Sequence, residues 1–79
     1  MAMIGKFELR TIGSGRRHKE VTCGYHWFDE GGERILQLDT YGSPERKNPD
    51  KQSQSLQLDE DAARALRSLI DRAFPHLGS

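Results

Sequence analysis

The sequence predicts a single α+β domain in which a four-stranded antiparallel sheet is followed by one C-terminal helix. The chain has 79 residues, which is the length of one small domain. Four segments in its first three-quarters either alternate polar and apolar residues or are rich in β-branched and aromatic residues. The last quarter changes to helical spacing of its apolar residues. We therefore expect one ββββα domain over residues 1–79, with residues 1–3 and 76–79 flexible.

The four strands are predicted from periodicity and from the turn residues between them. Glycines and a basic run separate the first two segments, Asp29 to Gly32 separates the second and third, and a loop with prolines separates the last two. Because consecutive strands with short connections usually pair as neighbours, we expect an antiparallel meander. The predicted strands are residues 6–12, 21–28, 34–41 and 53–58.

The helix is predicted from its cap and its apolar stripe. Asp59 is a favourable N-cap residue, and Glu60 and Asp61 place negative charge in the first turn, where the helix dipole stabilises it. Pro75 ends the pattern. The stripe consists of Ala62, Leu66, Leu69, Ile70 and Phe74.

Alternation along the strands predicts one apolar and one polar sheet face. The apolar face is expected to meet the helix stripe and form the core; it comprises Phe7, Leu9, Cys23, Tyr25, Trp27, Leu36, Leu38, Leu56 and Leu58. The polar face carries two aromatic residues and several long side chains; it comprises Lys6, Arg10, Thr22, His26, Phe28, Gln37, Asp39, Tyr41, Ser53, Ser55 and Gln57.

The charges are balanced in number, with 12 Lys and Arg against 12 Asp and Glu, but they are unevenly distributed. In a meander the first and third connections lie at one end of the sheet. These two connections hold cations that could neutralise phosphates, although charges in loops often only keep a protein hydrated. The cations are Arg16, Arg17 and Lys19 in the first connection, and Arg46, Lys47 and Lys51 in the third.

The polar face suits unpaired nucleic acid, because an exposed ring that stacks on a base contributes about 1–3 kcal/mol of binding free energy. We favour stacking for Tyr41, and leave stacking and a dimer contact equally open for Phe28. We expect no enzyme activity, no cofactor and no metal, since the three histidines and Cys23 show no ligand or nucleophile spacing. The lone cysteine and the lack of a long apolar run predict a cytoplasmic protein.

The order of these features from residue 6 to residue 70 resembles the single-stranded-DNA-binding domain of the positive-cofactor-four family of transcriptional coactivators, especially its short bacterial members. The matching features are a basic hairpin, a second strand ending His26-Trp27-Phe28-Asp29, a third strand ending in Tyr41, a Ser/Pro-containing basic loop, and Leu56 to Asp59 leading into the helix. The resemblance implies curved sheets that take up unpaired DNA, with Lys19, Tyr41 and Lys51 matching family positions. It also implies a homodimer with helices at the interface, formed here by Leu66, Leu69, Ile70 and Phe74.

We therefore predict a homodimer that binds single-stranded DNA or RNA with little sequence specificity, in transcription or DNA maintenance. The alternative is a protein–protein interaction module of the same fold with no nucleic-acid role. The predicted nucleic-acid contacts are Lys6, Arg10, Arg16, Arg17, Lys19, Trp27, Phe28, Tyr41, Arg46, Lys47 and Lys51.

Overall fold

The computed structural model describes residues 1–11, 13–42 and 52–78. Its elements are four strands and one helix, in the predicted order ββββα. They are β1 (Ala2–Met3), β2 (Cys23–Glu30), β3 (Glu33–Tyr41), β4 (Gln52–Leu58) and α1 (Glu60–Ala73).

The sheet is mixed, so the prediction of a fully antiparallel meander is wrong. The strand order is β1-β4-β3-β2; β2, β3 and β4 pair antiparallel, whereas β1 pairs parallel to β4. The predicted first strand over residues 6–12 is also wrong, because residues 6–11 pair with no strand of the described chain and the two residues of β1 take that place. A period-2 pattern indicates an extended segment, but it does not show which strand that segment pairs with.

The β2–β3 hairpin is formed by a two-residue turn of glycines. Gly31 and Gly32 have φ angles of 59° and 81°, and positive φ at both central positions is the requirement of the tightest hairpin turn. Asp29 and Glu30, which we assigned to the turn, belong to β2: Glu30 pairs with Glu33, and Arg34 Nε donates to Asp29 Oδ1 at 3.1 Å.

The helix begins at the predicted cap. Asp59 Oδ1 accepts a hydrogen bond from the Ala62 backbone N–H at 2.9 Å, which satisfies one of the free amides of the first turn. The helix ends at Ala73, and the N–H of Phe74 still donates to the carbonyl of Ile70. This places the start of α1 directly at the end of β4.

The pairing register confirms the two sheet faces for β2, β3 and β4. Residues that stand opposite one another across neighbouring strands point to the same side of a sheet. We call one side the apolar face, formed by the rows Tyr25–Leu38–Leu56 and Trp27–Leu36–Leu58. We call the other the polar face, formed by the rows Gly24–Asp39–Ser55, His26–Gln37–Gln57 and Phe28–Ile35.

The core is much smaller than the sequence predicts. Among the apolar side chains of the described residues, only Ile35, Leu58 and Ala62 are buried. Residues that we assigned to the core are largely exposed: Tyr25 is 70% exposed, Trp27 58% and Leu9 97%. The helix is in contact with β4 but leaves the rest of the apolar face open.

Candidate nucleic-acid interface

Strand β2 presents a pair of stacked rings on each face of the sheet. On the polar face the rings of His26 and Phe28 are 6.0 Å apart between centroids and inclined by 30°. On the apolar face the rings of Tyr25 and Trp27 are 6.4 Å apart and inclined by 28°. Phe28 and Trp27 were both predicted to contact nucleic acid, but neighbouring strand residues point to opposite sides, so they belong to two different surfaces.

Tyr41 adds a third ring to the polar face. The register of β3 and β4 shifts between Thr40 and Tyr41, at the end of the pairing. The tyrosine ring lies over Gly24: a Cβ added to this glycine would come within 3.2 Å of Tyr41 Cε2. Gly24 belongs to the polar face together with His26. Three rings therefore follow β2 along that face, in the order Tyr41, His26, Phe28.

A chain of side-chain hydrogen bonds runs beside these rings, across β3 and β4. Gln57 Nε2 donates to Gln37 Oε1 at 2.9 Å, and Gln37 Nε2 donates to Asp39 Oδ1 at 2.9 Å. The Ser55 hydroxyl also donates to Asp39 Oδ1, and Gln52 Nε2 donates to Ser55 Oγ. We call these five residues the polar ladder. Asp39 and Ser55 are buried, whereas Gln37 and Gln57 are partly exposed, so the inner members fix the orientation of the outer amides.

Asp39 is the ionised centre of the polar ladder. The hydrogen bonds from Ser55 and Gln37 lower the pKa of its carboxyl below the ordinary value of 3.8, because they stabilise the charged form. His26 Nδ1 is 3.9 Å from Asp39 Oδ2 and lowers this pKa to a smaller extent. The carboxylate is therefore charged at neutral pH, and its acceptor capacity is directed toward ladder donors.

His26, Asp39 and Ser55 lie together but are not arranged for nucleophilic catalysis. In a serine nucleophile the hydroxyl donates to a histidine base, which a carboxylate orients. Here the Ser55 hydroxyl donates to Asp39 instead. The arrangement holds side chains in fixed positions, which suits binding; that the protein is not an enzyme remains a prediction.

The start of β2 and the end of β3 lie at one end of the sheet, where the basic residues were predicted; their position there stays a prediction. The N–H of Tyr41, at the end of β3, donates to the carbonyl of Thr22, just before β2. Arg16, Arg17 and Lys19 precede that point by a few residues and are exposed. The third connection leaves β3 and enters β4 at the same end, and its predicted contacts Arg46, Lys47 and Lys51 lie outside the described residues.

Lys6 and Arg10 do not lie on the polar face, so their assignment to it is wrong. The segment that carries them is not part of the sheet. Both side chains pair instead with Glu8, at 3.0 Å from Lys6 Nζ and 3.1 Å from Arg10 Nη2. One carboxylate offsets only one of the two positive charges, so the contact of Lys6 and Arg10 with nucleic acid stays a prediction.

The residues of the predicted helix interface are only partly covered. Leu66 and Leu69 are half-buried, whereas Ile70 and Phe74 are exposed. Together with Tyr25, Trp27 and Leu56 on the apolar face, they leave apolar surface open in the single chain. The exposure of the Tyr25 ring on the apolar face could not be predicted from the sequence, because alternation assigns a residue to a face without showing what covers that face.

The polar ladder was not recognised from the sequence as a unit, although four of its members were placed on the polar face. Its only signal is that Gln37 and Asp39 on one strand stand two residues apart, as do Ser55 and Gln57 on another. The register is needed to show that Gln37 faces Gln57 and that Asp39 faces Ser55.

No helix within residues 1–11, 13–42 and 52–78 is long and apolar enough to cross a membrane. The same residues contain no group of three or more His, Cys, Asp or Glu that could hold a metal ion. No protein-family model, curated protein or solved structure matches this chain. The family resemblance therefore stays a prediction.

Proposed function

We propose that this protein binds single-stranded DNA or RNA on the polar face of its sheet, as a homodimer and with little sequence preference. The observation that carries the proposal is the row of three partly exposed rings, Tyr41, His26 and Phe28, beside the amides of the polar ladder. Rings stack on any base, and amides donate to and accept from base edges and phosphates.

The charge distribution supports a site at this end of the sheet. Arg16, Arg17 and Lys19 precede β2 at the end where Tyr41 lies, so a strand stacked on the rings would meet cations there. Cations that follow a nucleic-acid backbone give affinity without reading sequence. The ionised Asp39 lies buried under its donors, where it is poorly placed to repel phosphates. A role in transcription or DNA maintenance in the cytoplasm is part of this proposal and follows from the family resemblance.

The test is a fluorescence-polarisation titration with a labelled single-stranded oligonucleotide, repeated over a series of salt concentrations, with a duplex of the same sequence as control. We expect tighter binding to the single strand and an affinity that falls steeply with salt. For single strands, each phosphate contact contributes about 0.7 to the slope of log affinity against log salt. Equal affinity for single strand and duplex would contradict the proposal.

A pair of charge-matched variants sharpens this titration. Replacing Arg16, Arg17 and Lys19 together by alanine should reduce the salt slope by about 2, the value for three lost contacts. Replacing Arg64, Arg67 and Arg72 of α1 by alanine removes the same charge elsewhere and should leave the slope nearly unchanged. If both variants change the slope equally, net charge governs binding and the basic segment is not part of a site.

The alternative function, a protein-interaction module, is favoured by one observation. Tyr25 and Trp27 form a stacked and largely exposed pair on the apolar face, and large exposed apolar patches often mark protein contacts. Binding through such a patch should change little with salt concentration, whereas binding through phosphates should weaken steeply as salt is added. The same salt series therefore separates the two functions.

A further inference from the structure

Residues 6–11 belong to no sheet, although their sequence alternates polar and apolar residues as a strand does. Glu8 forms ion pairs with both Lys6 and Arg10, so the charged ends of residues 6, 8 and 10 lie close together. Side chains two apart share a side in an extended strand, whereas in a helix they point in nearly opposite directions. In an extended strand Phe7 and Leu9 would project to the other side, as the alternation in the sequence predicts.

The apolar residues of this segment are only partly covered in the single chain. Leu9 is 97% exposed and Phe7 is about one-third exposed, at 37%. The segment lies beside α1, where it lines an open groove with Leu69 and Ala73. It follows β1, which is at the edge of the sheet farthest from β2. Nothing within the described residues pairs with its backbone as a strand does.

Within the part of the chain that the structure describes, strand β2 offers a free edge of suitable length and composition. It is the last strand in the order β1-β4-β3-β2, so half of its backbone groups point away from the sheet. Natural edge strands are commonly protected by lysine, proline or a bulge, and Cys23–Glu30 contains none of these. Its acidic residues Asp29 and Glu30 are opposite in charge to Lys6 and Arg10. In the single chain Asp29 pairs with Arg34, and both cations pair with Glu8, so these surface pairs would rearrange in the complex.

The small core gives a reason for association. Only three apolar side chains of the described residues are buried, whereas a domain of this size needs a well-filled core or an oligomeric partner to be stable. A strand added beside β2 would bring an apolar side against Tyr25 and Trp27, the most exposed rings of the sheet. Because the exposed surface and the strand that fits it are on the same chain, the partner that satisfies both is a second copy.

We propose that residues 6–11 of one protomer add as a strand to the free edge of β2 in a second copy, and that the second copy returns the same contact. Such a reciprocal exchange has two-fold symmetry, and each protomer gains one strand contact at its open edge. It places Phe7 and Leu9 on the partner's apolar face. This contact differs from the helix interface implied by the family resemblance, and it does not depend on nucleic-acid binding.

The first test is hydrogen exchange of the unmodified protein, measured by mass spectrometry at several protein concentrations. The amides of residues 6–11 should be protected when the protein is dimeric and should lose that protection on dilution, together with edge amides of β2. The proposal is overturned if these residues exchange at once while sedimentation shows a dimer. It is also overturned if the protein stays monomeric at high concentration while protection of the β4 amides shows that it is folded.

A pair of proline variants supplies the second test, with the dimer dissociation constant measured by analytical ultracentrifugation. Leu9→Pro removes an amide donor in the middle of the added strand and should weaken the dimer at least tenfold. Gly13→Pro places a proline in the same connection, where a Cβ added to the glycine would meet no non-neighbouring atom within 4 Å, and should have little effect. Equal dissociation constants for both variants would overturn the proposal.

An isotope-filtered NMR experiment on a mixture of labelled and unlabelled wild-type protein decides the case if Leu9→Pro does not fold. We expect contacts from the Leu9 methyl groups of one copy to the Tyr25 or Trp27 ring of the other. Contacts from Leu9 only to α1 of its own chain would show that the segment stays within its protomer and would overturn the proposal.

Discussion

Phe28 and Trp27 are adjacent in β2 but point to opposite faces, which makes them a matched pair for locating bound nucleic acid. We expect Phe28→Leu to weaken binding to a single-stranded oligonucleotide, and Trp27→Leu to leave it nearly unchanged. Leucine keeps apolar bulk beside the buried Ile35 but removes the ring that stacks on His26. The fold of both variants is checked by thermal melting.

The expected magnitude follows from the exposure of the Phe28 ring. A fully available aromatic side chain contributes about 1–3 kcal/mol per stacked base. Phe28 is half-buried and one side of its ring is partly occupied by His26, so the lower part of this range applies, about 1–2 kcal/mol. Since 1.4 kcal/mol corresponds to a factor of ten, the dissociation constant should rise about 5- to 30-fold.

Fluorescence polarisation at constant salt measures this change directly. A larger loss for Trp27→Leu than for Phe28→Leu would mean that bases stack on the apolar face, and the assignment of the site would be wrong. If neither variant loses affinity, neither Phe28 nor Trp27 stacks on the bound bases, and the assignment of Phe28 to the site is wrong.

Three further predictions concern Tyr41, Asp39 and the core. Tyr41→Ala should lose about 1–3 kcal/mol of oligonucleotide affinity, whereas Tyr41→Phe should keep most of it; equal losses would assign the effect to the hydroxyl. The folded-state pKa of Asp39 is lowered, so its contribution to stability is present above about pH 4 and is lost as the pH falls through the lower folded value. In chemical denaturation, the stability difference between wild type and Asp39→Asn should therefore shrink with acidification, and a constant difference would refute this. Leu58→Ala should cost about 2–5 kcal/mol of unfolding free energy because Leu58 is only 2% exposed. Leu56→Ala on the same face should cost less in the monomer, and an equal cost at high concentration would indicate that a second copy covers Leu56.

Features that depend on local chemistry could be predicted from the sequence. The two glycines at positions 31 and 32 specify the hairpin through their positive φ angles. Asp59 marks the start of the helix because its carboxylate can accept from a free amide of the first turn. The alternation in β3 and β4 separates the two faces, since a one-residue slip would exchange them.

Features that depend on pairing between distant segments could not be predicted. Residues 6–11 have strand periodicity, but the chain instead pairs Ala2 and Met3 with β4, and two residues are too few to give a sequence signal. The rings of Phe28 and Tyr41 were assigned to the polar face from alternation alone. The contact of Tyr41 with Gly24 depends on the irregular end of β3, which the sequence does not specify.

The side chains that contact an unpaired strand can be identified directly by NMR titration of ¹⁵N-labelled protein with a single-stranded oligonucleotide. The side-chain amide signals of Gln37 and Gln57 report on the polar face, and the indole N–H signal of Trp27 reports on the apolar face. We predict that the glutamine signals shift in a saturable, salt-sensitive manner while the indole signal stays in place. Movement of the indole signal with unchanged glutamine signals would contradict the proposed site.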